Sequence, residues 1–277
     1  MSFWGKIRNL FKRKPAPTFK MGLALGSGGA KGFAELGALY CFEQHGIEFD
    51  IVAGTSIGSI LGAFYAAGYS STDCVELFRN IKATDIKNFF MINMDTAGLF
   101  KVIDRTIGDL DIEELKKPFC AIATELDTGR EKVFKSGKVA QALCASSSYP
   151  PFFRPVVEEG KKFIDGAFAN AMPADKVKEM GADFVVGIDI STRVKSGGNM
   201  LSLVFPEFKG GAEDPYKNGY ENADFVLHPD LTGYKSVSFT QWRKLFDIGY
   251  AEALQKMPEI QAKINAAKIK KGIKIKR

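Results

Sequence analysis

Residues 51–68 read IVAGTSIGSILGAFYAAG. Ile51, Val52 and Ala53 are a short apolar run suited to a buried strand, and Ile57 to Ala67 is an apolar run of helical length closed by Gly68. The junction, Gly54-Thr55-Ser56-Ile57-Gly58, fits G-x-S-x-G. A serine at a sharp strand-to-helix turn holds its hydroxyl by the helix N-terminus, where developing negative charge is favoured, and small neighbours let the backbone pass closely. The competing role for Ser56 is a helix N-cap in a close-packed turn.

The same grammar occurs one unit upstream. Met21 to Leu25 is a second buried-strand pattern, followed by the loop Gly26-Ser27-Gly28-Gly29-Ala30-Lys31-Gly32. From Ala30 to Gln44 the residues Phe33, Leu36, Gly37, Tyr40 and Cys41 repeat at helical spacing until Gly46. Two strand-to-helix junctions within seventy residues predict an α/β fold with a parallel sheet, whose ligands bind at the carboxyl ends of the strands. The glycine loop offers unhindered N–H groups to a tetrahedral oxyanion. It departs from the phosphate-binding loops: Lys31 stands where the dinucleotide fingerprint has its third glycine, and the loop has no Gly-Lys followed by Ser or Thr. Lys31 either orients or neutralises a substrate phosphate or is a solvated base on the first helical turn.

A nucleophilic serine needs a base. Ser56, Asp189 and His228 occur in the chain order of a hydrolase triad, but only two strands precede Ser56, and His228 stands directly before Pro229 in a polar turn. His45 ends a helix beside Gly46 and reads as a cap. Asp165 is the better partner. It follows the strand Lys162 to Ile164, opens the turn Asp-Gly-Ala, and from such a crevice can take the serine proton directly. Asp127, with Arg130 three residues on, reads as a turn carboxylate.

Beyond these units, residues 70–117 read as mostly helical with breaks near 93–98 and at Gly108. Strands are expected at Phe119 to Thr124, Glu131 to Phe134, Phe184 to Ile190 and Phe225 to Leu227, and a helix at Lys138 to Ser146. Residues 195–221 read as a long loop or lid. Gln241 to Met257 reads as a helix with Leu245, Ile248 and Leu254 on its inner face.

GSGGAKG, the GTSIG elbow, Ala145-Ser146-Ser147-Ser148-Tyr149-Pro150 and Asp165-Gly166-Ala167 occur together in an order and spacing that resemble the patatin-like phospholipase family, in particular its small bacterial members. ATELDTG and ADFVLHPDL are similar to that family's pattern as well. The resemblance covers roughly residues 20–255. It implies a three-layer α/β/α fold with a central, mostly parallel sheet, and a Ser–Asp dyad without histidine, metal or cofactor. It implies hydrolysis of acyl esters of glycero- or lysophospholipids, with Ser56 as nucleophile, Asp165 as general base, and the N–H groups of Gly28 and Gly29 as oxyanion hole. Ser27 stands where the family usually has glycine. Acyl transfer from the same acyl-enzyme and a non-catalytic, membrane-associated regulatory role are the alternatives.

Charge divides the chain. The total of 38 Lys and Arg against 32 Asp and Glu gives +6. Residues 1–20 hold six bases and no acid, and residues 256–277 hold eight bases and one acid. The ends thus carry +13 together, which leaves −7 for residues 21–255. The expected organisation is a basic arm at 1–18, an acyl hydrolase domain at 19–257 and a Lys-rich helix or tail at 258–277. Phe3, Ile7, Leu10 and Phe11 share one helical face, bordered by Trp4, with bases around the rest. That pattern suits an anionic membrane surface, which the Lys-rich tail would also attract. Nucleic acid is not expected, because no stacking aromatic surface or groove-reading helix accompanies the bases.

The start MSFWGKIRNLFKRK lacks the apolar core of a secretory signal, and no uncharged stretch of membrane-spanning length occurs. Four widely spaced cysteines without a C-x-x-C pair read as buried free thiols in a reducing compartment. These features predict a cytoplasmic protein that meets the membrane from its inner face.

Overall fold

A computed structural model describes residues 18–80, 95–192, 205–206, 208 and 210–275. The amphipathic reading of the first seventeen residues, and much of the 195–221 loop, lie outside them. Among the described residues eight strands form one sheet: β1 (Met21–Leu25), β2 (Ile51–Thr55), β3 (Phe119–Glu125), β4 (Glu131–Phe134), β5 (Val156–Glu158), β6 (Lys161–Asp165), β7 (Phe184–Ile188) and β8 (Phe225–Leu227). Their order is β5-β6-β3-β2-β1-β7-β8, with β4 paired to β3. Strands β3, β2, β1, β7 and β8 run parallel, and β4, β5 and β6 join antiparallel.

The helices are α1 (Gly32–Gln44), α2 (Ile57–Ala67), α3 (Ser71–Asn80), α4 (Ala97–Ile107), α5 (Val139–Ser146), α6 (Ala174–Glu179), α7 (Lys217–Asn222) and α8 (Trp242–Lys270). Alternation along the strands sorts the core into layers. Leu23, Leu25, Val52, Phe119, Ala121, Val186 and Ile188 join the residues of α1, α2, α5 and α8 in one cluster. Ala24, Ile51, Ala53, Cys120, Ile122 and Val185 pack with Met172, Ala174 and Val177 around α6 on the other face. The result is the expected three-layer α/β/α arrangement with a mostly parallel centre.

Helix α1 is buried on nearly every side because α8 packs along it and α2 and α3 pack against it. Glycine makes the contact with α8 close: a Cβ on Gly249 would meet the Ala34 carbonyl oxygen at 1.9 Å, and one on Gly37 would meet the Phe246 oxygen at 2.0 Å. The inner face of α8 is Leu245, Gly249, Ala253, Met257, Ile260 and Ile264, spaced at three and four. Leu254, expected on that face, is instead 44% exposed, since the small Ala253 takes the contact. The helix also continues without a break past Met257 and through Pro258 to Lys270. Proline removes one helical hydrogen bond, but the buried residues on both sides of it hold the helix against the core.

Several bases of the C-terminal segment are engaged within the fold. Lys263 lies over the Phe225 ring, Lys268 over Phe19, and Lys271 pairs with Asp183 at 2.5 Å. The strand β7 ends at Ile188, two residues earlier than the apolar run suggested, while β5 and α6 carried no pattern that foretold them. Residues 217–222, inside the expected loop, form α7.

One feature of the sheet positions the site. Residues Ala121 and Ile122 of β3 pair with β2 on one edge and β4 on the other, while Ala123 and Thr124 pair with β6 and β4. Strands β2 and β6 therefore abut end to end along the same edge of β3. Thr55 is opposite Ile122 and Asp165 opposite Ala123, so Ser56 and Asp165 arrive at one point from opposite directions.

Candidate active site

Ser56 leaves β2 with φ 56° and ψ −125°, a left-handed backbone unusual for a residue with a side chain. The turn tolerates nothing larger beside it. A Cβ on Gly54 would lie 2.2 Å from the Gly58 oxygen, and one on Gly58 would lie 2.5 Å from the Leu25 oxygen. That contact is the physical content of the two outer glycines of the motif. The turn is tied down on three sides: the Ser56 N–H donates to Ser146 Oγ at 2.9 Å, Thr55 Oγ1 donates to the Asn170 oxygen at 2.7 Å, and Ser59 Oγ donates to the Ser56 oxygen at 2.6 Å. The Ser56 side chain makes no capping bond to α2.

Instead, Ser56 Oγ donates to Asp165 Oδ2 at 2.5 Å. Asp165 is fully buried. Its Oδ1 accepts the Ala167 N–H at 2.9 Å, its own N–H donates to the Ser148 oxygen at 3.1 Å, and Thr124 Oγ1 donates to its carbonyl at 2.8 Å. Burial pushes its pKa up to about 7, against the opposing pull of the Ser56 and Ala167 hydrogen bonds. A carboxyl group with that pKa can exchange a proton near neutrality, and the group it faces is the Ser56 hydroxyl.

The glycine loop follows β1 along the same rim. Gly26 N–H is held by the Ile188 oxygen and Glu35 Oε1, Ser27 N–H by the Ala171 oxygen, and Ala30 N–H by the Ser236 oxygen. Among the described residues, the N–H groups of Gly28 and Gly29 are not committed to an acceptor. Gly29 has φ +59°, and a Cβ there would stand 2.4 Å from the Ser236 oxygen, so the position demands glycine. Both glycines, with Ser27, Ser56 and Asp165, line a cavity of about 840 Å³.

Lys31 is not solvated. Only 4% of it is exposed, its Nζ donates to Thr192 Oγ1 at 2.9 Å, and it lines the cavity. Burial lowers its pKa, with Asp189 acting in the opposite sense. Thr192 uses one of three Lys31 donors, so the ammonium can still meet an anion from the cavity side.

The structure brings Asp189 and His228 together, 3.2 Å apart. Asp189 also accepts from Tyr220 Oη and the Ser191 N–H, and these bonds outweigh burial to hold its pKa low. Neither residue of the pair lines the cavity, and the hydroxyl of Ser56 goes to Asp165. His45 Nδ1–H donates to the Cys41 oxygen at 2.8 Å, which is the expected cap. Asp127 is exposed in its turn.

Several groups at the site gave little sign of themselves. Glu35, on α1, is fully buried with Oε1 on the Gly26 N–H, and burial raises its pKa well above the usual carboxylate range. Ser236, Val237 and Phe239 come from an unpatterned stretch yet bracket the glycine loop and the cavity. Ser146 and Ser148 were visible as part of a motif, but not their separate tasks of holding the Ser56 and Asp165 backbones.

A family model of the patatin-like phospholipases matches residues 23–178, a span that holds the glycine loop, Ser56 and Asp165. The chain belongs to the patatin-like phospholipase family. Among the relatives of this patatin-like chain is lysophospholipase nte1 of Aspergillus niger, 30% identical over an alignment of 272 positions, gaps included, that covers 83% of this chain and 18% of that protein. Patatin-like phospholipase domain-containing protein 6 of Homo sapiens is 26% identical over an alignment of 267 positions that covers 82% of this chain and 19% of that one. The chain thus spans about a fifth of the length of these curated relatives. The patatin-like fold is shared with the crystal structure of VipD from Legionella pneumophila at TM-score 0.52 and 16% identity, over 88% of this chain and 67% of that chain.

Proposed function

We propose that this protein is a serine acyl hydrolase that cleaves fatty-acyl esters of phospholipids or lysophospholipids through a Ser56–Asp165 dyad. The observation that carries the reading is the 2.5 Å bond between Ser56 Oγ and Asp165 Oδ2 on the wall of a large, mostly apolar cavity. The family's description and the lysophospholipase names of its relatives support a lipid ester as substrate.

The steps follow from the geometry. Ser56 Oγ bonds to the ester carbonyl carbon while Asp165 Oδ2 takes its proton, and the carbonyl electron pair moves onto an oxyanion that accepts from the Gly28 and Gly29 N–H groups. Collapse breaks the ester bond; the leaving alcohol oxygen takes the proton from Asp165 and the acyl group stays on Ser56. Water then gives a proton to Asp165 as it attacks the acyl-enzyme, and the fatty acid leaves as Ser56 recovers its hydrogen. Lys31, beside the glycine loop, binds the substrate phosphate.

No described helix is long and apolar enough to cross a membrane. The proposed setting is the cytoplasm, with the basic arm bringing the enzyme to an anionic lipid surface; a chain lacking residues 2–14 that co-sediments undiminished with anionic vesicles excludes that role. For the chemistry, products from a defined panel of phospholipids and lysophospholipids are measured by mass spectrometry with the parent and with Ser56→Ala. Fatty acid released by the parent and not by folded Ser56→Ala is the expected result; equal release by both overturns the reading.

A further inference from the structure

One wall of the cavity is almost wholly apolar, and it begins at the nucleophile. Ser56 precedes α2, and Ile57, Ile60 and Phe64 of that helix all line the cavity. Their spacing of three and four places them on one face, and the rise of ~1.5 Å per residue puts Phe64 about 12 Å along the helix axis from Ser56. Helix α4 supplies the facing wall with Val102, Ile103 and Thr106, again one face of a helix.

At the far end the two walls are joined. Tyr69, just past the end of α2, donates from Oη to the Thr106 oxygen at 2.5 Å, and its ring lies 5.9 Å from that of Phe64. Phe64 is 2% exposed, and the residues of α2 beyond it do not line the cavity. The polar lining lies elsewhere, at Ser27, Lys31, Ser191, Thr192, Glu213 and Asp214. A substrate with one apolar and one charged end therefore keeps its charged end out of the lane between these two walls, because burying it among Ile60, Phe64 and Ile103 would leave it without a partner.

We infer that the lane between α2 and α4 holds the fatty-acyl chain, and that Phe64 and Thr106, closed by the Tyr69 hydrogen bond, are the stop that sets its length. This rests on the acyl-hydrolase reading and adds a specificity-determining pair to it. Ile60, midway along the lane, is where added bulk shortens it. Each methylene that can no longer be buried costs about fourfold in relative kcat/KM.

The test is a competition in one vessel. Monoacyl glycerophosphocholines with saturated chains from octanoyl to octadecanoyl are mixed at equal concentration, and the released fatty acids are resolved by mass spectrometry. The ratios are independent of the fraction of enzyme that is folded. Ile60→Phe and Thr106→Phe are expected to shift release toward shorter chains, by about fourfold per excluded methylene. Phe64→Leu is expected to shift it toward longer ones. Because Phe64 is in the core and its variant can fail to fold, the two enlarging variants suffice for the decision. If the parent hydrolyses the mixture while both enlarging variants keep its distribution, the lane is refuted and the hydrolase reading stands. The lane is refuted in the same way if the distribution moves only with changes at Phe168, on another wall of the cavity. A parent that releases no fatty acid from any chain refutes the hydrolase reading and this inference with it.

Discussion

Ser56 Oγ and Asp165 Oδ2 meet at 2.5 Å across 109 positions of sequence because β2 and β6 share one edge of β3. The strand edge fixes both backbones, so the geometry of the pair is a property of the sheet, and the raised pKa of Asp165 follows from the burial that the sheet imposes on the carboxyl group.

Activity should follow the ionisation of Asp165. Burial raises its pKa to about 7, and only the carboxylate can accept the serine proton. Measured on a soluble short-chain ester, kcat/KM is expected to fall about tenfold per unit below that pKa and to level off above it. An acid limb centred near the ordinary carboxylate value of 3.8 would show that the buried carboxyl does not limit the reaction.

The same shift has a consequence for stability. A carboxyl group whose folded pKa is raised from 3.8 to about 7 favours the folded state fully below the lower value, and that contribution is lost as pH rises through the upper one. At alkaline pH the native protein therefore carries an ionised buried group at a cost bounded on the order of 4 kcal/mol. Asp165→Asn cannot ionise and can still accept the Ala167 N–H and donate to Ser56 Oγ. It is expected to be inactive, and to gain stability relative to the parent as pH rises from about 3.8 to about 7, with no further gain above, in urea melts. A stability difference that does not change with pH contradicts the assigned shift.

The Asp189–His228 pair is expected to be dispensable for turnover. His228→Ala leaves the Ser56–Asp165 bond and the cavity lining intact, so kcat on a soluble ester should stay within about threefold of the parent, the loss being one of several hydrogen bonds to the Asp189 carboxylate. His45→Ala, which removes a helix cap, should behave likewise. A hundredfold loss of kcat in folded His228→Ala would reinstate the triad order that the sequence also permits.

The parts of the site legible in the sequence are those encoded locally. G-x-S-x-G states its own geometry because Gly54 and Gly58 are needed within four residues of the serine, and Asp165-Gly166 announces a turn for a similar reason: a Cβ on Gly166 would lie 2.3 Å from the Ile122 oxygen. What joins them is not legible. The shared edge of β3 is a pairing of distant segments, and no residue of β2 or β6 marks it. Ser236 holds the glycine loop through its backbone oxygen, a role that any residue type can perform and that leaves no trace in composition. The inner face of α8 escapes the pattern for a related reason. Gly249 and Ala253 are buried there because they are small, and a search for large apolar side chains passes over them in favour of Leu254.

Lys31 gives the last prediction, because its surroundings decide between the two roles its sequence position allowed. A solvated base would be exposed; this one is 4% exposed, bonded to Thr192 and lowered in pKa by burial. Keeping an ammonium in such a place costs free energy that Thr192 and the nearby Asp189 carboxylate offset only in part, since the pKa remains lowered. An incoming phosphate would supply the missing charge and acceptors. Lys31→Met preserves most of the volume and removes the charge. It is expected to lower kcat/KM for a lysophospholipid by about 10- to 100-fold, the range for a charge-assisted hydrogen bond, while the value for a monoacylglycerol with the same chain changes much less. Comparing the two substrates within each enzyme cancels differences in folding and in the dyad. An equal loss on both would assign Lys31 to support of the glycine loop, and no loss on either would leave the phosphate to another group.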